Sequence, residues 1–444
     1  MAYNSFVYDI FESFLYKDEI DPICIVEFRT DHDYDGSFGF DWLRIDELQA
    51  VDPPYKDIIQ GGFKNGKTDL SKDEAYKKLE NEYKKIYIRR RPFTAPWLAG
   101  REKYFVPYLN LFSKAYSDKV SITPKPTYKA KLCVLIEIDE DIEKIEFSYN
   151  KELFTVDTSD LIPITKKCKQ TVAGSITVQC NKDFNQEQEI NVYAYPLGSF
   201  FKSKMEQESQ KTLAGRLILR PNSAIHREEV EIVFVCVKTN VAGKIQKGSF
   251  ADSEREQMCR TLYQALIKPN IYSKRKTATG STDIVMDVSK DPNFLQKGKY
   301  IDSKGKLNED ADRGSMFIYL RKKFMENPNN TAYKNCFPIF AFGITTYDGT
   351  AGQVEKIGVK NLVLFPERNN NPQVIGHESL HGYGLWHTHR ELSGEPVITT
   401  KYKKYIYPHG HYDPQNATDN IMSYRFGSMI TTWKWQWDII KKFT

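Results

Sequence analysis

The chain has 444 residues, 40% of them hydrophobic, with 63 basic against 58 acidic side chains and a net charge of +5. That is enough chain for two or three cores, and the charge excess is too small to point to nucleic acid. No apolar run reaches the roughly 20 residues of a membrane span, and the opening segment MAYNSFVYDIFESFLYKDEI lacks the charged n-region and apolar stretch of a signal peptide. The expectation is therefore a cytoplasmic protein, or one exported by a signal-independent route, with no nucleic-acid partner and no membrane span.

In chain order, residues 1–125 read as a mixed α/β segment. Ile23–Phe28 is strand-like, Gly61–Lys67 a polar loop, and Ser71–Ile88 a helix opened by the capping box Ser71-Lys72-Asp73-Glu74. Arg89, Arg90 and Arg91 close that helix, and Pro92 and Pro96 stop it. Asp31-x-Asp33-x-Asp35-Gly36 begins like a calcium loop but carries Trp42 at the twelfth position, so a polar turn is expected. Ser121–Thr127, with Pro124 and Pro126, reads as a linker. Five strand-like runs follow: Lys131–Ile138, Lys144–Tyr149, Leu153–Val156, Gly174–Gln179 and Gln188–Tyr195. They predict a β-sandwich over 126–222, immunoglobulin-like in outline.

From Glu228 strands and helices alternate. Val230–Lys238, Asp283–Val288, Phe337–Thr346 and Gly358–Phe365 read as strands, and Ser253–Ile267, Gly314–Phe324, Val374–Gly382 and Ile430–Lys441 as helices. The fold class expected is multidomain α+β: a docking or carrier domain over 1–125, the sandwich over 126–222 and a catalytic domain over 223–444.

The seven cysteines are scattered, odd in number and never spaced as C-x-x-C, which argues against a disulfide framework or a cysteine metal site. The eight histidines are concentrated: His377, His381, His387, His389, His409 and His411 fall within 35 residues. His377 and His381 are four apart, so a helix puts both imidazoles on one face within reach of one ion. Glu378, beside the first ligand, would stand next to a metal-activated water whose pKa falls to about 7, and could take up and return its proton. His387 is off that helical face. Gly384 supplies the left-handed residue that ends the helix and lets the chain return. His389 is the alternative third ligand, at a less suitable spacing. His409 and His411 read as loop histidines. Neither a Ser-His-Asp nor a thiol mechanism has a supporting motif.

His377-Glu378-x-x-His381-x-x-Gly384-x-x-His387 resembles the signature of the metzincin clan of zinc peptidases. Asn420-Ile421-Met422-Ser423-Tyr424 resembles that clan's Met-turn, with Met422 beneath the metal. Tyr424 stands where astacin-like and serralysin-like members place a tyrosine that ligates zinc or holds the oxyanion. The resemblance covers roughly the last 215 residues and implies Zn2+ on His377, His381 and His387. It further implies Glu378 and Tyr424 as catalytic groups, a protein or peptide substrate, and an edge strand Val359–Phe365 that pairs with substrate. Gly382 and the Thr388-His389 pair depart from common members. Arg390, Lys401, Lys403, Lys404 and Arg425 predict a basic wall beside the site, suited to an acidic or neutral side chain. The alternative is a catalytically inactive zinc-domain binding or adhesion protein. Residues 1–222 bear a faint likeness to carrier regions of bacterial effectors and toxins exported by contractile injection systems. That likeness implies a secretion-apparatus or immunity partner.

Overall fold

The computed structural model describes residues 19–20, 23–45, 53–64, 68–88, 103–277, 280–296, 299–308, 311–369, 371–390, 403–425 and 427–444. The opening segment to residue 18, the Arg89–Arg91 run with Pro92 and Pro96, and Lys401 lie outside them. The chain is α+β, with more strand than helix. Among the described residues, no helix is long and apolar enough to cross a membrane.

Alternation along Glu228–Val241 decides the C-terminal architecture. Side chains on a strand point to opposite faces in turn. Here Ile232 and Phe234 enter one core, while Val233, Val235 and Val237 enter another. A strand buried on both faces is the centre of a covered, largely parallel sheet. Phe337–Ala341, Ile267–Tyr272 and Val285–Asp287 pair with it in parallel, and Lys244–Lys247 antiparallel. Leu362–Leu364 follows Phe337–Ala341 in parallel, and Gly352–Val354 closes that side antiparallel. One face is covered by the helices Asp252–Tyr263 and Gln373–Gly382, through Met258, Leu262, Ile375 and Leu380. The other is covered by Ala311–Met325, through Met316, Phe317, Leu320 and Phe324.

Two further sheets share an apolar core. One runs Phe154–Asp157, Cys168–Cys180, Lys129–Ile138, Cys24–Thr30; the other runs Ile142–Ser148, Gln188–Pro196, Thr212–Leu219, Tyr108–Asn110, Gly39–Asp41. Val26, Phe28, Leu132, Val134, Ile176, Val192 and Leu217 fill the space between them. All five strand-like runs of 131–195 are strands. The sheets nonetheless take Cys24–Thr30, Gly39–Asp41 and Tyr108–Asn110 from before residue 125, so pairing crosses the expected boundary at 125/126. The boundary at 222/223 is crossed by packing: Leu43, Tyr55, Ile58, Leu79 and Tyr83 share one core with Tyr405, Tyr407, Trp433 and Trp437.

Three local expectations are corrected. The helix begun by the Ser71–Glu74 capping box spans only Lys72–Glu80, and Lys85–Ile88 is a strand. The sequence Lys-Ile-Tyr-Ile favours a pleated, half-buried surface and finds partners in Lys103–Phe105 and Glu19–Ile20. The predicted loop Gly61–Lys67 contains the strand Gly61–Lys64, because Tyr405–Ile406 pairs with it from far along the chain. The third concerns the sheet edge. Leu362–Leu364 lies inside the sheet and Gly352–Val354 forms its edge.

Candidate metal centre

His377 and His381 lie on the helix Gln373–Gly382, with 2% and 5% of their surface exposed. The turn that closes the helix passes through Gly384, where φ is +84°. The Gly384 amide donates to the His381 carbonyl at 3.0 Å, and the Leu385 amide to the Leu380 carbonyl at 2.9 Å. This paired closure is a Schellman turn, and Leu380 and Leu385 both enter the core. The turn reverses the chain and delivers His387. Gly382, a departure from common helix formers, has a steric reason: a Cβ there would come within 2.5 Å of the Phe337 ring.

The three imidazoles converge. Nε2 of His387 lies 3.1 Å from Nε2 of His377 and 2.9 Å from Nε2 of His381. Three nitrogens about 2.0–2.1 Å from one tetrahedral ion would be about 3.3 Å apart. The outer nitrogens fix the tautomers. His377 Nδ1 donates to the Ile421 carbonyl at 2.8 Å, and His381 Nδ1 to the Leu385 carbonyl at 2.7 Å. A ring nitrogen facing a carbonyl must carry the proton, so the Nε2 atoms of both rings are lone pairs turned inward. His387 has one Nε2 with which to face two lone pairs, and two inward lone pairs that close repel unless a cation lies between them. Burial first, then the neighbouring imidazoles and the Lys403 ammonium, hold His381 and His387 well below the usual imidazole range. They are neutral, the form that ligates metal. The donor set therefore fits a zinc ion.

Glu378 is buried beside the cluster. The Val354 amide on the edge strand hydrogen-bonds its carboxylate, but burial outweighs that and pushes the carboxyl up to about 8. A divalent cation nearby would draw it down again. Gly352 fits against this side chain, since a Cβ would come within 3.0 Å of Glu378 Cγ. A cleft of about 370 Å3 opens here, lined by Gly352, Val354, Ile357, Glu378, Trp386 and Tyr424 among others.

Met422 is wholly buried in the turn Ile421–Ser423. Its amide donates to Asn420 Oδ1 at 3.0 Å, and its carbonyl accepts from the Thr388 amide at 3.0 Å. The turn is thus tied to the residue after the third histidine. Tyr424 adopts φ +61°, and its ring centre lies 4.8 Å from that of His377 and 4.7 Å from that of His387.

The remaining candidates sort themselves. His389 is buried and stacks on His387 at 4.8 Å with 12° between the planes, but the grouped donors are His377, His381 and His387. His409 is no simple solvated loop histidine: its ring centre lies 4.0 Å from that of His389 and 5.2 Å from that of Tyr424. Among the described residues the basic wall does not form: Arg390 is exposed and does not line the cleft, and Lys401 lies outside those residues. Lys403 is buried and donates to the His389 carbonyl at 2.5 Å, Lys404 pairs with Glu82 at 2.7 Å, and Arg425 donates to the Ala417 carbonyl at 3.1 Å. None of them lines the cleft with Glu378. Asp31, His32 and Asp33 also group, but His32 spends its two ring nitrogens on the two carboxylates, at 2.7 and 3.1 Å, as a polar turn would. The sequence did not reveal the carbonyl partners of the histidines, the Val354 amide on Glu378, or the presence of Ile357 and Trp386 in the cleft. Only the Leu385 carbonyl, four residues past His381 in a glycine-closed turn, was within reach of sequence reasoning.

The class of protein these observations define is an α+β chain with a largely buried tri-histidine cluster and an adjoining carboxylate. No protein-family model matches the chain, and no curated protein matches it.

Proposed function

We propose that the chain is a zinc-dependent endopeptidase of the metzincin type. The observation that carries this is the convergence of three Nε2 atoms within 3.1 Å of their neighbours, with two of the rings held by carbonyls in the ligating tautomer. His377, His381 and His387 would hold the ion, which supplies an acidified water and a polarised substrate carbonyl. Glu378, kept in place by the Val354 amide, takes up a proton on one side of the reaction and returns it to the leaving amine. The Tyr424 phenol, which lines the same cleft, donates to the developing oxyanion. The sheet-edge strand Gly352–Val354 pairs with an extended substrate backbone.

The test is metal analysis combined with peptide hydrolysis on wild type and Glu378→Ala. The expected outcome is one zinc per chain in both proteins and a loss of at least about 10²–10⁴-fold in hydrolysis on removing the carboxylate. Equal hydrolysis by the two proteins contradicts the proposal.

A further inference from the structure

Resting on the peptidase reading, we infer that the cleft beside Glu378 selects a substrate with an uncharged, apolar side chain next to the cleaved bond, and that Ile357 and Trp386 set this preference. The cleft is lined by Val354, Ile357 and Trp386, the last being the residue just before the third histidine. Thr350 and Gln353 add only neutral polar groups, and among the described residues Glu378 is its one carboxylate. Of the bases that the sequence places nearby, Lys403 donates to a carbonyl, Lys404 pairs with Glu82 and Arg425 donates to the Ala417 carbonyl, and neither these nor Arg390 line the cleft. The carboxylate of Glu355 accepts from Asn361 Nδ2 at 2.8 Å, and that residue does not line the cleft.

A charged side chain entering here would lose its water and meet, among the described lining residues, no counter-charge that the reaction can spare. Burying an unpaired charge is far more costly than burying a methylene. An apolar side chain gains from the same walls by losing contact with water. Ile357 and Trp386 are half-buried, so each still has surface to cover when a substrate arrives. Ile357 lies in the connection between the edge strand and Leu362–Leu364 and is not a core residue. It can therefore be replaced by a charged residue without emptying the fold's interior.

The experiment profiles cleavage of a random peptide library by the zinc-loaded wild type, Ile357→Glu, Ile357→Lys and Glu378→Ala. In the wild type, Leu, Met or Phe at one position flanking the cut is expected to exceed Lys, Arg, Asp and Glu by at least about tenfold in kcat/KM. Ile357→Glu is expected to raise Lys and Arg at that position, and Ile357→Lys to raise Asp and Glu. Calorimetry of zinc-loaded Glu378→Ala with short peptides bearing Leu or Lys at that position gives a second readout, in which the Leu peptide binds more tightly. A wild type that favours charged residues at both flanking positions, or a profile unmoved by both Ile357 variants, overturns the inference and leaves the peptidase reading standing. No cleavage above the Glu378→Ala level overturns both.

Discussion

The two-sheet unit and the region around the histidines are built on different economies of burial. Between the two sheets the interior is apolar: Val26, Phe28, Leu132, Val134, Val192 and Leu217. Its cysteines behave as small hydrophobes, with burial pushing the Cys180 thiol up to about 12. The C-terminal region buries His377, Glu378, His381, Lys403, Asn420 and Gln436, and closes a hydrogen-bonded ion pair between Arg368 and Glu254. A buried polar group is tolerated only when its partners are in place. Apolar packing gives stability with some freedom of side-chain choice, whereas a satisfied polar interior fixes positions. The histidine cluster sits in the part that fixes positions.

Breaking the polar side should be most damaging. Arg368 donates to Glu254 at 2.5 Å, to the Phe365 carbonyl at 2.7 Å and to the Ser249 carbonyl at 2.6 Å, while Glu254 is fully buried. Arg368→Leu leaves that carboxylate without its counter-charge, though still accepting from the Ala251 amide, and should cost about 3–5 kcal/mol in denaturant unfolding. Adding Glu254→Gln should recover part of the loss, and no recovery would mean the pair is not the cause. Leu217→Ala sharpens the contrast. It should cost about 2–5 kcal/mol through the cavity it leaves, with zinc affinity unchanged. A large drop in zinc affinity would show that the two regions are not separate in this respect.

Gly384→Ala should cost about 1–2 kcal/mol for the left-handed backbone, with added crowding because a Cβ would come within 2.8 Å of Phe443 Cζ. Unlike Leu217→Ala, it should also weaken zinc binding several-fold, since this turn places His387. The smallest effect is expected at Lys441, whose ammonium donates to the His226 carbonyl at 2.6 Å. Burial, then Arg220, hold its pKa down to about 8. An ordinary lysine titrates near 10.4. Between about pH 8 and 10.4 the unfolded chain therefore holds the extra proton, and stability rises with pH. Lys441→Met removes this contribution, so the wild type should gain on the variant in melting temperature from pH 8 to 10. A constant difference would contradict the assignment.

Much of the site was legible because its information is local. Two histidines four apart, a glycine that ends the helix, and Met422 with Tyr424 downstream lie in short stretches whose geometry follows from helix and turn rules. The strands of 131–195 were legible from alternation for the same reason. What the sequence concealed is pairing over distance. Gly61–Lys64 is a strand because Tyr405–Ile406 lies beside it, and nothing within Gly-Gly-Phe-Lys announces that. Cys24–Thr30 completes a sheet with Lys129–Ile138 across the expected linker. Leu362–Leu364 carries the apolar character of an edge-adjacent strand, but the short Gly352–Val354 takes the edge itself. The basic residues after His387 suggested a charged wall, and only the fold shows Lys403 and Lys404 committed elsewhere.

The claim on which the chemistry depends is that His387 joins His377 and His381 on one cation. Zinc titration of the chelator-stripped chain, followed by calorimetry beside His387→Ala, tests it directly. One zinc bound per wild-type chain, with affinity reduced at least tenfold in the variant, is the predicted result. A wild type that takes up no zinc, or a variant that binds it as tightly, would contradict the account.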